Sequence, residues 1–132
     1  MENMRRIIIG GQSYPIIVDI NVLEHIQNEY GSVNLFEREI LGIKFLKDEE
    51  GKQKYTPEGN PMVYQTEPSI RAIKTVLPLM INEGLSIEAE ERNVGYEPVT
   101  EQQVFRECTI SFDLLAKIIH QEYKRCFEIK KE

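Results

Sequence analysis

Thr66-Glu-Pro-Ser-Ile70-Arg-Ala-Ile-Lys-Thr-Val76-Leu-Pro-Leu-Met80-Ile-Asn-Glu-Gly84 carries the longest apolar pattern at helical spacing in the chain, and its reading decides the fold. Ile70, Ile73, Leu77, Met80, Ile81 and Gly84 recur at three- and four-residue intervals, along one side of a helix opened by Thr66-Glu67-Pro68. Pro78 interrupts the pattern. It lacks a backbone donor and crowds the preceding turn, which predicts a kink near Lys74 or a break into two segments. Ile70, Ile73, Val76, Leu77, Leu79, Met80 and Ile81 are too many for one stripe, so the helix is apolar on more than one side. Either it is buried on both sides in the domain's own core, or Ile70, Ile73, Val76, Leu77, Met80 and Ile81 form a protein-binding face for a client or a second copy. Met80 suits an adaptable contact.

Upstream, Arg5–Ile9 and Tyr14–Ile20 are β-branched runs around Gly10-Gly11-Gln12-Ser13, a hairpin signal over 5–20. Pro15 cannot donate to a ladder, so its strand is an edge or pairs from its second residue onward. A helix follows over 21–31. Asp19 or Asn21 caps it, Asn21 with Glu24 approximates a capping box, Leu23, Ile26 and Tyr30 mark its apolar face, and Gly31 ends it. Residues 41–66 read as a second, looser hairpin or loop excursion with strand-like ends at Ile43-Lys44-Phe45 and Met62-Val63-Tyr64; the polar stretch 47–61 is long for a hairpin loop. Downstream, Thr100-Glu101-Gln102-Gln103 is a capping box before a short helix, and Ser111 caps a last one carrying Leu115, Ile118, Ile119, Tyr123 and Cys126. No internal repeat is visible. The expected fold is α+β: an N-terminal β-hairpin packed on about four helices, with 1–132 as one domain and 67–128 as its helical part.

The 132 residues, 41% hydrophobic, suffice for one core. Lys and Arg total 16 against 22 Asp and Glu, a net charge of −6 that argues against nucleic acid as a partner. Six glutamates (88, 90, 91, 97, 101, 107) against Arg92 and Arg106 concentrate that charge between Glu88 and Glu107. They form either a docking surface for a basic partner or, more simply, a solvated helix end and loop. No run of apolar residues is long enough to cross a membrane or form a signal-peptide core, so a cytoplasmic location is expected.

The chemistry-bearing residues do not converge in sequence. His25 and His120 lack neighbouring ligands at metal-binding spacing, and Cys108 and Cys126 read as reduced, partly buried thiols. No serine sits in a Gly-x-Ser-x-Gly context, and Gly10-Gly11 lacks the lysine and hydroxyl residue of a phosphate loop. The segments after Glu101 and Phe112 mimic a helix-turn-helix, but Phe112-Asp113-Leu114-Leu115 suits core packing better than base reading. A non-catalytic binding protein without cofactor or metal is the expectation.

In order, Ile7-Ile-Ile-Gly-Gly-Gln-Ser-Tyr-Pro15, Asn21-Val-Leu-Glu-His-Ile-Gln-Asn-Glu-Tyr-Gly-Ser32, Leu77-Pro-Leu-Met-Ile-Asn-Glu-Gly-Leu85 and Glu97-Pro-Val-Thr-Glu-Gln-Gln-Val104 resemble the tail assembly chaperones of long-tailed bacteriophages and prophages of Gram-positive bacteria. The matching stretches are 6–18, 21–32, 76–85 and 97–104. Pro78 and the inserted 42–66 segment depart from the pattern. The resemblance implies a protein that keeps the tape-measure protein soluble while tail-tube subunits polymerise around it, and that has no catalytic residues. The tape-measure protein is the implied partner, with the tail-tube protein and further copies of this chain as additional candidates. The alternatives are a small virion component, such as a tail-completion or head-tail connector subunit, and a DNA-binding prophage regulator.

Overall fold

The structure is a computed structural model and describes residues 4–128. Strands β1 (Arg5–Ile9) and β2 (Gln12–Ile16) pair antiparallel about Gly10 and Gly11, both at positive φ, which gives the two-residue turn that matches strand twist. Counting from the Ile9–Gln12 pair that closes the turn, Pro15 lies opposite Arg6 at a position that exchanges no ladder hydrogen bonds, so its missing N–H costs nothing. Ile7 and Ile9 face inward and are buried, whereas Ile8 between them is exposed.

Helix α1 (Ile20–Tyr30) is capped by Asp19, whose side chain accepts from the Val22 amide, and it ends at left-handed Gly31. Asn21 is therefore inside the helix and forms no capping box; its side chain donates to Glu83 instead. The next helix, α2 (Val33–Leu41), lies between Ser32 as N-cap and Gly42 as C-cap, in a stretch that the sequence pattern left unassigned. It buries Phe36 and Ile40.

The central helix α3 (Ile70–Arg92) starts at the Ser69 cap, a few residues after the expected opening, and runs through Pro78 without dividing. Proline deprives only the Lys74 carbonyl of a donor, and Lys74 is on the exposed side, where water can serve that oxygen. Ala72, Ile73, Val76, Leu77, Met80 and Ile81 are meanwhile buried, and their packing outweighs the local defect. Helices α4 (Glu101–Glu107) and α5 (Phe112–Cys126) begin at the expected caps, Thr100 with its Gln103 capping box and Ser111. The described residues thus form an α+β fold of two antiparallel hairpins and five helices, one more helix than the pattern suggested.

Three consecutive residues of α3 fix three other segments. Asn82 donates to the Val99 carbonyl at 3.0 Å and accepts from the Val99 amide at 2.8 Å, which ties down the approach to α4. Glu83 accepts from the Asn21 side chain at 2.8 Å, holding α1. Gly84 lies so close to β2 that a Cβ would come within 2.6 Å of the Pro15 carbonyl oxygen. The N-terminal strand is also held at the far end of the fold. Glu122, the sole buried charged residue among those described, lies 3.7 Å from Arg5 and 3.5 Å from Arg125.

The excursion after α2 is an arm. Strands β3 (Ile43–Phe45) and β4 (Val63–Gln65) pair antiparallel as its stem, and none of residues 43–69 is buried. Beyond the stem the chain repeats itself at an interval of eight residues, contrary to the absence of repeats expected from the sequence. Leu46, Lys54 and Met62 close a ring of backbone hydrogen bonds: Leu46 N–H to Met62 at 2.8 Å, Met62 N–H to Lys54 at 2.8 Å, and Lys54 N–H to Leu46 at 2.9 Å. Two small lobes project from this ring, bridged at Lys47–Gln53 and, eight residues on, at Tyr55–Pro61. Each lobe turns in the same way, with Gly51 N–H donating to Asp48 and Gly59 N–H to Thr56. The Gln53 amide sits at the junction and donates towards the carbonyls of Leu46, Lys54 and Met62 at 3.1, 2.7 and 3.0 Å. Hydrogen bonds, not a core, hold the arm together.

Two outcomes test this architecture. Replacing a mid-helix glycine by alanine ordinarily gains about 1 kcal/mol of helix propensity. Gly84→Ala is instead expected to lose about 1–2 kcal/mol in urea unfolding, because overpacking against a backbone carbonyl exceeds that gain. Gly95→Ala, where a Cβ meets nothing within 4 Å, is the neutral control. Gln53→Ala is expected to remove hydrogen-exchange protection from the Leu46, Lys54 and Met62 amides while leaving the global melting transition in place.

Candidate protein-binding surface

Of the six residues read as a binding face, Ile73, Val76, Leu77, Met80 and Ile81 are buried in the core that α3 forms with the hairpin and the other helices. Folded, the chain does not present them, which corrects the reading of this helix face as a docking surface. Only Ile70, 58% exposed at the start of α3, remains accessible. The two-sided apolarity of α3 is that of a central helix covered from both directions.

The surface that takes its place lies between α2 and α5. These helices run antiparallel: the Tyr123 hydroxyl donates to the Val33 carbonyl at 3.4 Å, and His120 Nε2 lies 2.9 Å from a Glu37 carboxylate oxygen one turn further along. Their outer seam is open on both sides of the Glu37–His120 bridge. Towards the arm is a hollow of about 610 Å³, with Ile40, Leu41, Pro68 and Leu114 among its walls and Asp113 and Lys117 on its rim. Towards the end of α5 is a second, of about 410 Å³, between Val33, Tyr123 and Phe127 with Lys124 and Glu128 beside them. On α5, positions 113, 117, 120 and 124 fall on one face at helical spacing, so the two hollows lie along the same side of that helix, on either side of the bridge. Leu114 is 48% and Phe127 55% exposed, large apolar side chains left at opposite ends of it.

The groove is built on aromatic support. Phe36 from α2 packs against Tyr123 with ring centroids 5.9 Å apart, Tyr123 meets Phe127 edge-on at 5.1 Å, and His120 stacks over Tyr123 at 6.1 Å. Burial pushes the Tyr123 hydroxyl above its ordinary range. The nearby Cys126 thiol is pushed up in the same way, which disfavours the thiolate and its reactivity. Both cysteines are free.

A smaller hollow of about 140 Å³ opens on another side, lined by Asn21, His25, Leu79, Asn82, Glu83 and Tyr96. Its notable feature is the pairing of Glu83 with Asp19. A side-chain hydrogen bond with Asp19, then burial, raises the Glu83 carboxyl above its ordinary range, and the amide of Asn21 opposes them. Asp19 also serves as the α1 cap, its carboxylate accepting from the Val22 amide at 3.1 Å. Among the described residues no group of three or more His, Cys, Asp or Glu side chains is arranged to hold a metal ion, and no helix is long and apolar enough to cross a membrane. His25 and His120 stand in these two separate hollows.

Compared with known protein families, with characterised proteins and with solved structures, the chain matches none.

The Glu83–Asp19 pair has a pH consequence. A carboxyl whose pKa is higher in the folded than in the unfolded chain contributes stability that is full below the ordinary carboxyl range and is lost as the pH rises through the raised value. Glu83→Gln keeps a hydrogen-bonding group beside Asp19 and Asn21 but abolishes the titration. Melting temperatures measured from pH 4 to 7 are expected to fall less steeply with rising pH in the variant, and to be higher than wild type at pH 7.

Proposed function

We propose that this chain is a non-catalytic protein-binding domain whose work is done by its outer helices and its arm. More particularly, we read it as a tail assembly chaperone of a long-tailed phage or prophage, acting in the host cytoplasm and binding the tape-measure protein while the tail tube assembles.

One observation carries this reading. The four stretches on which the resemblance rests are dispersed in sequence, yet all meet at Asn82-Glu83-Gly84. Stretch 6–18 meets it through Pro15, stretch 21–32 through Asn21 and stretch 97–104 through Val99, while 76–85 contains the triplet itself. That the four stretches pack together at one turn of α3 supports the reading, and the inserted 42–66 segment stands off that packed unit. An open apolar groove with a polar rim suits a chaperone, which must hold a helical client and yet release it to the tube subunits.

The arm favours a second reading, a small structural subunit of the virion. It exposes Tyr55, Val63 and Tyr64 on a self-supporting scaffold, as a connector reaching towards a neighbour does. Co-expression with the long coiled-coil protein encoded downstream separates the two. The chaperone reading expects affinity capture to bring down soluble tape-measure protein at several copies of this chain per client, and purified particles to lack this chain. An insoluble client, with this chain recovered from mature particles, establishes the structural subunit instead.

A further inference from the structure

We infer that the free edge of β1 is a self-association site, where two copies of this chain pair strand to strand about a two-fold axis at Ile7 and join their hairpins into one four-stranded antiparallel sheet. The inference goes beyond the proposed function and rests on the hairpin alone, so it stands or falls apart from the chaperone reading.

The hairpin is a two-stranded sheet whose two edges differ. The β2 edge is closed: β2 lies along α3, its Pro15 carbonyl comes up against Gly84, and Pro15 has no N–H to offer. The β1 edge is open. With Ile9 and Gln12 closing the turn, Arg5, Ile7 and Ile9 direct their peptide groups towards β2, and Arg6 and Ile8 direct theirs away from it. Among the described residues the main-chain N–H and C=O groups of Arg6 and Ile8 have no hydrogen-bond partner. Such a row is a template for another strand, and proteins usually blunt it with a proline, a bulge or an unmatched charge. β1 is Arg5-Arg-Ile-Ile-Ile9, regular and β-branched, with both arginines matched inside the chain, Arg5 by Glu122 and Arg6 by Glu88. Ile8 is left 64% exposed, while Ile7 and Ile9 fix the strand in the core. The strand is thus held extended before a partner arrives, and pairing costs little further ordering.

A second copy of β1 is itself the complementary strand, and only one register suits it. Antiparallel pairing about Ile7 sets Arg6 of each copy opposite Ile8 of the other, so the four free N–H groups of the two strands meet their four free carbonyls. Each Ile8 is then covered by the aliphatic stem of the arginine across from it. Arg5 falls opposite Ile9, the whole strand is paired, and no two charges are apposed. The register one step earlier sets Arg6 against Arg6. The register one step later draws the Gly10-Gly11 turn, both of its residues at positive φ, into the ladder. A five-residue edge is small beside the roughly 1,000 Å² that a stable interface buries, so the association is weak and concentration-dependent.

The test uses the full chain. Sedimentation velocity over a concentration series is expected to show a reversible monomer–dimer equilibrium. Hydrogen exchange on the same samples locates the contact: the Arg6 and Ile8 amides are expected to slow as the dimer forms, by about tenfold once roughly nine molecules in ten are paired, while the Ile7 and Ile9 amides, already bonded to β2, stay as they were. Two substitutions at exposed Ile8 test the register. Ile8→Glu sets an acid opposite Arg6 of the other copy and Ile8→Lys a cation, so the first is expected to associate about tenfold more tightly than the second, both melting as wild type does. Ile8→Pro, which removes an outward N–H as Pro15 does on β2, is expected to remain monomeric. Equal association of the Glu and Lys variants, or a dimer whose Arg6 and Ile8 amides exchange as in the monomer, overturns the inference. A monomer at every concentration overturns it too, and if those two amides then slow only when tape-measure protein is added, the edge belongs to a foreign strand.

Discussion

Asn82, Glu83 and Gly84 occupy most of one turn of α3 and are directed to three different neighbours, the approach to α4, helix α1 and strand β2. Each works by a different kind of interaction. Asn82 makes a two-way hydrogen bond with one backbone residue, which is demanding in orientation and fixes the register of 97–104 along α3. Glu83 joins an amide and a second carboxylate, a contact that varies with pH. Gly84 contributes no interaction of its own; the missing side chain allows the hairpin to approach at backbone distance. A side chain there would press on the Pro15 backbone and strain the packing of the hairpin, with Ile7, Ile9 and Ile16 on it, against α3.

The punctuation of the fold was legible because capping chemistry is local. Gly31, the Thr100 box and Ser111 act within one turn of where they stand, so residue type and spacing suffice to place them. Helix α2 carries the same kind of signal, Ser32 before Phe36 and Ile40 with Gly42 after, but its start directly follows the Gly31 terminator and its end directly precedes strand-like Ile43-Lys44-Phe45, which masks it in the pattern. The arm's duplication could not have been found by residue matching. Between 47–54 and 55–62 only the glutamates at 50 and 58 and the glycines at 51 and 59 coincide. What repeats is backbone geometry, in which Asp48 and Thr56 perform the same turn closure with different side chains: the Asp48 carboxylate accepts from Lys52 and the Thr56 hydroxyl from Asn60.

The candidate site was misplaced for a reason of scale. Hydrophobic periodicity tells how much of a helix is apolar, but not whether the covering comes from the same chain or another. For α3 the covering comes from the hairpin and from the helices around it, α2 among them. The groove was invisible for the complementary reason. Leu114 and Phe127 are isolated in sequence and become a surface only when α2 lies antiparallel against α5, with Glu37 and His120 joined across the seam.

The apolar residues of this chain divide by layer, most of them in the core and a few along the outer helices. The central helix turns its apolar residues into the core on two sides and leaves Lys74 towards solvent; even Pro78, costly in most helices, is kept where burial sustains the turn around it. The outer pair α2 and α5 have one apolar side each, turned inward, and offer outside only the shallow strip along their seam. That strip is narrow and interrupted by the Glu37–His120 bridge, which divides it into two hollows. Because the strip shares Phe36, His120 and Tyr123 with the aromatic layer beneath, changes at its floor reach the core, whereas Lys117 and Lys124 stand exposed on its rim.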